Sequence, residues 1–380
     1  NLLNEWDDTV IQGPIRSIDL YQGLIHFATY DGIARYDMYN DTWLTTLTAD
    51  NGGLPSNSED TIFDIEIVGD DLWYTTMANS GWNRNSRIFQ YNGTTHAWSS
   101  WQAGSTNIPP GFGFSMEVCN GIMHIAMARY QGFGTQGGVA RFDLNTNAWL
   151  AGWTQGSSQN RGLDDDDAVA LACDEVGDVI YVGFEQNNVG ISRYSYTAGS
   201  WLASISETTN GIMPDQVFPD GMRWVNGVLM VSHTDDNGGS GGISRIAANG
   251  GQLGSGMKID VGTQASSMEV IPSNGSRVDW VIGRPGGDSG YNRVDIINST
   301  GLHKGAIDIL AGLSSGRMLE VTFSGTDVWL TSADDSQQYY GSSILHGELL
   351  SNGTIEWIEA YPFVWDIVNE ILPVNNDLWV

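Results

Sequence analysis

Lysine is nearly missing from this chain of 380 residues: only Lys258 and Lys304 occur. Lysine and arginine together number 16 against 45 aspartates and glutamates, a formal charge of −29. The summed field of such a polyanion repels phosphate, which excludes nucleic acid and an acidic membrane surface as partners. Cysteine is as scarce, with Cys119 and Cys173 alone, and two cysteines say little about redox compartment. No apolar run approaches the roughly 20 residues that span a bilayer, so no direct membrane insertion of this segment is expected. Charged residues make up only 16%, too few for a disordered acidic tail, and 41% hydrophobic residues suffice for a packed core. No serine nucleophile elbow, phosphate loop or zinc-ligand cluster is present. Asn1 is not a start residue and no charged-then-apolar leader precedes Trp6, so the expectation is one domain over 1–380, processed or cut from a longer chain.

Glycine (48) and tryptophan (15) are abundant instead, which suits turn-rich β-structure. One short apolar segment recurs eight times, with His26, Trp73, His124, Tyr181, Met230, Trp280, Trp329 and Trp379 in its third column. The spacing is about fifty residues throughout, a period that marks a repeat architecture. Within each unit a strand such as Ile62 to Val68 precedes the segment after a tight turn such as Cys119-Asn120-Gly121. A third strand follows, as in Gly32-Ile33-Ala34-Arg35-Tyr36-Asp37 and Gly138-Val139-Ala140-Arg141-Phe142-Asp143. A fourth opens on a tryptophan: Trp43, Trp98, Trp149, Trp201 and, more loosely, Trp357. Four antiparallel strands per repeated unit predict an all-β fold, a β-propeller of four-stranded blades. A β-sandwich lacks this self-similarity, and a solenoid coil is usually much shorter.

Seven units run complete between about Ile15 and Tyr361, and Phe363 to Val380 supplies two strands of an eighth. With Leu2 to Thr9 contributing one more strand, the favoured expectation is eight blades, the last shared by both termini. Seven blades with a trailing segment is the alternative.

Gly53-Leu54-Pro55-Ser56-Asn57, a strand, and then Asp71-Leu72-Trp73-Tyr74-Thr75-Thr76 resemble the repeat of the two-component-regulator propellers, the extracytoplasmic sensor rings of hybrid histidine kinases. Weaker copies start at Gly162, Gly211 and Gly312. Phe142-Asp143-Leu144-Asn145-Thr146-Asn147-Ala148-Trp149 is similar to repeats of kelch and quinoprotein propellers, although a diglycine occurs in only some units. These resemblances imply the fold and, for the first, a sensor input role; activity on propellers is carried by loops.

Sorting connections by strand number puts long, irregular ones after strands two and four, including Met77 to Arg87, Ala128 to Gln136, His233 to Gly241, Gly283 to Tyr291, Ala333 to Gly341 and Gln155 to Asp167. Binding tends to sit on such loops. Trp82, Tyr130, Phe133, Tyr291, Tyr339 and Tyr340 fall in them and could stack on sugar or anchor a protein partner. Five glycosylation sequons, at Asn40, Asn92, Asn274, Asn298 and Asn352, fall on the opposite, short-turn side; they fit a secreted chain, and equally the turn preference of Asn, Gly, Ser and Thr.

Asp164-Asp165-Asp166-Asp167 and Asp235-Asp236 offer oxygen ligands for calcium, with Asp164, Asp165, Asp235 and Asp236 as candidate ligands, although neither run has the order of an EF-hand loop. A solvated acidic rim explains them as well. His26 and His124 stand in the aromatic column and read as packing residues, while His233, beside Asp235, is the one candidate acid or base. Cys119 and Cys173 read as two buried thiols more readily than as a disulfide across neighbouring blades. The expectation is therefore a non-catalytic extracellular, periplasmic or cell-surface propeller that binds a protein or carbohydrate through its long-loop face, with a sensor input as one version. A polysaccharide lyase or hydrolase using acidic loop residues is the alternative.

Overall fold

In the computed structural model the described residues are 17–29, 32–40, 42–48, 53–54, 61–77, 86–128, 137–155, 162–186, 189–206, 216–225, 227–234, 242–247, 258–260, 268–271, 279–283, 293–298, 303–308, 316–334, 341–350, 355–364, 372–374 and 377–379. Every regular element among them is a strand. The first hairpin of a unit is closed by short turns with residues at positive φ, such as Gln22 (φ 51) and Gly23 (φ 79) or Asn120 (φ 53) and Gly121 (φ 71). That handedness matches the twist of the flanking strands.

The strands assemble in chain order as antiparallel meanders. Sheet one holds β1 (Ser17–Tyr21), β2 (Leu24–Thr29), β3 (Gly32–Asp37) and β4 (Thr42–Leu47). Sheet two holds β5 (Thr61–Val68), β6 (Asp71–Met77), β7 (Arg87–Asn92) and β8 (Ala97–Gln102). Sheet three holds β9 (Phe112–Cys119), β10 (Ile122–Ala128), β11 (Gly138–Asp143) and β12 (Ala148–Trp153). Sheet four holds β13 (Ala168–Asp174), β14 (Val179–Phe184), β15 (Ile191–Ser195) and β16 (Ser200–Trp201). Sheet five holds β17 (Gln216–Val225), β18 (Val228–Thr234), β19 (Gly242–Ala247) and β20 (Lys258–Asp260). Sheet six holds β21 (Met268–Ile271), β22 (Asp279–Gly283), β23 (Arg293–Asn298) and β24 (His303–Asp308). Sheet seven holds β25 (Gly316–Ser324), β26 (Asp327–Asp334), β27 (Gly341–Leu349) and β28 (Ile355–Val364), and β29 (Leu372–Val374) pairs only with β30 (Asp377–Trp379). The chain divides into two compact units, Asn1–Val169 and Ala170–Val380.

The four-stranded antiparallel blades expected from the repeat are present, but an eighth blade built from both termini is not: among the described residues the last unit has only the two strands β29 and β30. Its boundary also moves. Phe363 and Val364, expected to open that unit, instead finish β28, where they pair with Ser342 and Gly341. The period locates units, but a long β27 draws its partner strand past the point where the period would end it. Leu2 to Thr9 lies outside the described residues.

Packing in the first unit follows the aromatic column. Trp73 of β6 is fully buried, stacks on Trp101 at 5.7 Å between centroids and meets Phe142 of sheet three edge-on at 5.0 Å. Tyr74, on the other face of the same strand, joins Tyr21, Ala28 and Ile33 of sheet one. Each side of a blade thus buries against a neighbour, removing large rings from water at about 25 cal/mol per Å².

The third strand explains its own motif. Gly32 and Gly138 sit at φ 143 and φ 141, and a Cβ there would meet the carbonyl oxygens of Leu47 and Trp153 at 2.2 and 2.1 Å, so only glycine lets the fourth strand approach. Three residues later an arginine reaches across to that strand or the residues just after it: Arg35 Nη2 donates to Thr45 O at 3.0 Å, Arg141 Nη1 to Ala151 O at 3.3 Å, and Arg193 Nε and Nη2 to Ala203 O, just past β16, at 2.9 and 2.6 Å. Beside Arg35 and Arg141 the pairing with the fourth strand shifts register, and the guanidinium takes a carbonyl beside the break.

The two column histidines are packing residues, as expected. His26 Nδ1 lies 3.1 Å from Leu24 O, with its ring against Tyr21. Burial, with Arg35 adding to it, holds its pKa down at about 4. His124 packs on Trp153, and burial, then Arg141, takes it down to about 3. Both are neutral in the folded protein at neutral pH.

Candidate functional site

In an antiparallel meander, strands two and four of a sheet end at the same side of that sheet. Most connections there are long, as between Met77 and Arg87, Ala128 and Gly138, Thr234 and Gly242, and Trp153 and Ala168, although β2 and β3 are joined by two residues. At the opposite side β1–β2, β5–β6 and β9–β10 are joined by two residues each. The loop asymmetry read from the sequence is a property of these sheets.

Between β12 and β13, Gln155 Nε2 donates to Asp164 O at 2.9 Å, holding the loop end back on itself. Asp165 Oδ1 then accepts the backbone N–H groups of Asp166 and Asp167 at 2.8 and 3.0 Å, a local turn that aspartate favours. The carboxylates of Asp165, Asp166 and Asp167 come within 4.8 Å of one another, with Asp166 and Asp167 buried and Asp165 half-buried. Gly137 makes room for this: a Cβ there would lie 2.2 Å from both Asp166 O and Met127 O.

The structure therefore brings Asp165 together with its two successors rather than with Asp164. The signal that could have found this was adjacent: β13 is buried at every position from Ala168, so the residues entering it are drawn in with it. Asp235 and Asp236 lie outside the described residues, as do Trp82, Tyr130, Phe133, Tyr291, Tyr339 and Tyr340.

His233 is in β18 between Val217 of β17 and Gly242 of β19, with 1% of its surface exposed. The candidate acid or base is therefore a buried strand residue.

Cys119 ends β9, Cys173 lies in β13, and both are disulfide-bonded, with no free cysteine in the chain. This corrects the expectation of two thiols. The distance limit for a bridge was the right criterion, but sequence supplies no distance between units of a repeat.

On the short-turn side, Asp37 Oδ1 accepts the N–H groups of Tyr39 and Asn40, and Asn40 Nδ2 donates to Asp37 Oδ2 at 2.7 Å. These bonds, the Asn40 side chain first, hold the Asp37 carboxyl below its ordinary pKa. Asp143 caps Asn145 and Thr146 the same way, and Asn92 Oδ1 accepts from the N–H and hydroxyl of Thr95. Two of the five sequon asparagines, Asn40 and Asn92, thus have a turn-building role that accounts for their presence.

No protein family matches the sequence, and no curated protein does. Solved structures are similar in shape. The dihydro-heme d1 dehydrogenase NirN in complex with DHE is 11% identical with a TM-score of 0.63, over 93% of this chain and 67% of that one. Saccharomyces cerevisiae Sqt1 is 11% identical with a TM-score of 0.59, over 97% and 91%. At such identities the likeness speaks for fold alone: the chain has the four-stranded antiparallel blades of a β-propeller.

Proposed function

We propose that this protein is a non-catalytic, extracytoplasmic binding propeller whose ligand, a carbohydrate or a protein, is held by the loops that follow strands two and four. The observation that carries this reading is the difference in connection length between the two sides of the sheets, with six aromatic residues in the long connections. The disulfide supports an oxidising compartment, periplasmic, extracellular or at the cell surface. A sensor input is one version of this role, suggested by the resemblance at Gly53 to Thr76. Calcium is proposed as the cation of the Asp165–Asp167 cluster, whose three carboxylates offer hard oxygen donors. The alternative, a polysaccharide lyase or hydrolase, draws less support, because His233 is buried in its sheet.

The test is a binding screen of the purified chain against soluble neutral, acidic and basic polysaccharides by calorimetry, with and without calcium. The triple variant Trp82→Ala, Tyr130→Ala and Tyr340→Ala should lose binding by tenfold or more while its melting temperature stays unchanged. Binding that survives in the triple variant would remove these loops from the site, and turnover of a bound polysaccharide would favour the enzyme.

A further inference from the structure

Sheet seven departs from the arginine pattern. In its third strand the column held by Arg35, Arg141 and Arg193 is filled by His346, directly across from Trp329 of β26 and Glu359 of β28. The imidazole lies flat on the Trp329 indole, with centroids 3.9 Å apart and planes 5° from parallel. His346 Nε2 is hydrogen-bonded to Asp327 Oδ1 at 2.8 Å, and Nδ1, which makes no hydrogen bond, lies at an ion-pair distance of 3.5 Å from Glu359 Oε1. A neutral imidazole has one N–H and one lone pair, so it can satisfy only one of two carboxylates; the imidazolium, with two N–H groups, faces both correctly.

The next row needs that charge. Asp327, Glu348 and Glu356 lie directly opposite one another on β26, β27 and β28, and like charges in register across a sheet are destabilising. The titratable groups around His346 are thus Asp327 from β26, Glu348 from β27 itself, and Glu356 and Glu359 from β28, whereas β25 presents Thr322, which does not titrate. Every one of the four carboxylates is negative, and His346 is the one basic side chain in these two rows.

We propose that His346 is a proton-controlled clasp on the outer strands of this sheet. Protonated, it ties β28 to β26 through Glu359 and Asp327 and offsets the carboxylate row; deprotonated, it leaves one carboxylate against a lone pair and releases the β27–β28 edge. In sheets one, three and four a guanidinium, permanently charged, makes the corresponding link to a backbone carbonyl, whereas Gln90 and Ile297 fill that column in sheets two and six. In place of the fixed charge of sheets one, three and four, sheet seven carries a side chain whose charge depends on protonation.

Hydrogen exchange followed by mass spectrometry on the peptide covering β28 tests this, with rates corrected for intrinsic base catalysis. Between about pH 5.5 and about pH 8, wild-type protection should fall severalfold, up to ~10-fold, with loss of the ion pair to Glu359. His346→Arg should keep its protection at the higher pH, and His346→Gln should show the low protection at both. Equal corrected protection in the wild type at the two pH values would overturn the clasp, as would a wild-type response in His346→Gln. If His346→Gln does not fold, Glu359→Gln serves instead: a reduced pH response supports the clasp and an unchanged one overturns it.

Discussion

His124 in sheet three and His346 in sheet seven are one strand apart in the same row of the repeat, yet their neighbours treat them in opposite ways. His124, fully buried on strand two, has Arg141 beside it on strand three and is held neutral. His346 stands in the arginine's own column, with a carboxylate at each ring nitrogen. The repeat fixes where a side chain points; burial first, and then the charge of the residue across the sheet, decides what a histidine there can do. One sheet is consequently acid-sensitive, and the other is proposed to loosen toward alkaline pH.

The largest expected effect tests the first half of that contrast. His26 and His124 have folded pKa values lowered from 6.5 to about 4 and about 3. The unfolded chain therefore takes up protons first as pH falls below 6.5, and stability is lost from there downward, levelling off only near the folded values. At pH 4 each histidine should have cost about 3 kcal/mol. Urea midpoints measured from pH 7 to pH 4 should drop steeply in the wild type and less in His124→Phe, which keeps the ring against Trp153. A parallel pH dependence in that variant would break the account of sheet three.

Next in size is the disulfide. Cys119 is in sheet three, and the bridge closes a loop of about 54 residues, worth about 4 kcal/mol by loss of unfolded-chain entropy. A Cys119→Ser, Cys173→Ser double variant should unfold at markedly lower urea, and reducing agent should match it in the wild type while leaving the double variant unaffected.

The fold was legible because periodicity is carried by burial: columns such as Trp73 and Tyr74 recur since each blade must cover its neighbour, and turns such as Asn120-Gly121 announce themselves by conformation. What was hidden is relational. Nothing in Gly-Val-Ala-Arg says that the arginine reaches a carbonyl ten residues on, because the register shift that points that carbonyl at it exists only once two strands pair. The sequence located His233 beside a long loop but not its burial, since a strand's last residues can face inward or outward. The Asp164 to Asp167 run was visible, whereas the choice of Asp165, Asp166 and Asp167 as the group that converges follows from the turn and from Gly137.

A third expectation concerns the fixed charge itself. Arg141 donates to Ala151 O and lies 4.2 Å from the Trp153 ring centroid. Arg141→Met keeps the aliphatic stem but strips the carbonyl of its donor and the indole of its cation, and should cost about 2 kcal/mol in urea unfolding. Arg141→Lys should recover part of that, since the ammonium keeps the cation–π contact and loses the fork. Full recovery by lysine would mean that charge alone matters there, and sheet three would then differ from sheet seven less than its hydrogen bonds indicate.

The smallest effect discriminates the two sheets by screening. At about 1 M salt the Debye length shrinks to roughly 3 Å, so repulsion among partly exposed carboxylates fades while a hydrogen bond to a neutral carbonyl is weakened far less. Asp327 and Glu359 are about half exposed, and the row Asp327, Glu348, Glu356 should gain about 0.5 kcal/mol from salt. Glu348→Gln should therefore raise stability in low salt and do little in high salt, whereas Arg141→Met should cost the same in both. The chain as a whole, at −29, will also be stabilised by salt through its general self-repulsion, so the comparison must be made between variants and not between buffers. If the Glu348→Gln advantage persists undiminished at high salt, the row is destabilised by something other than charge, and His346 has no repulsion to offset.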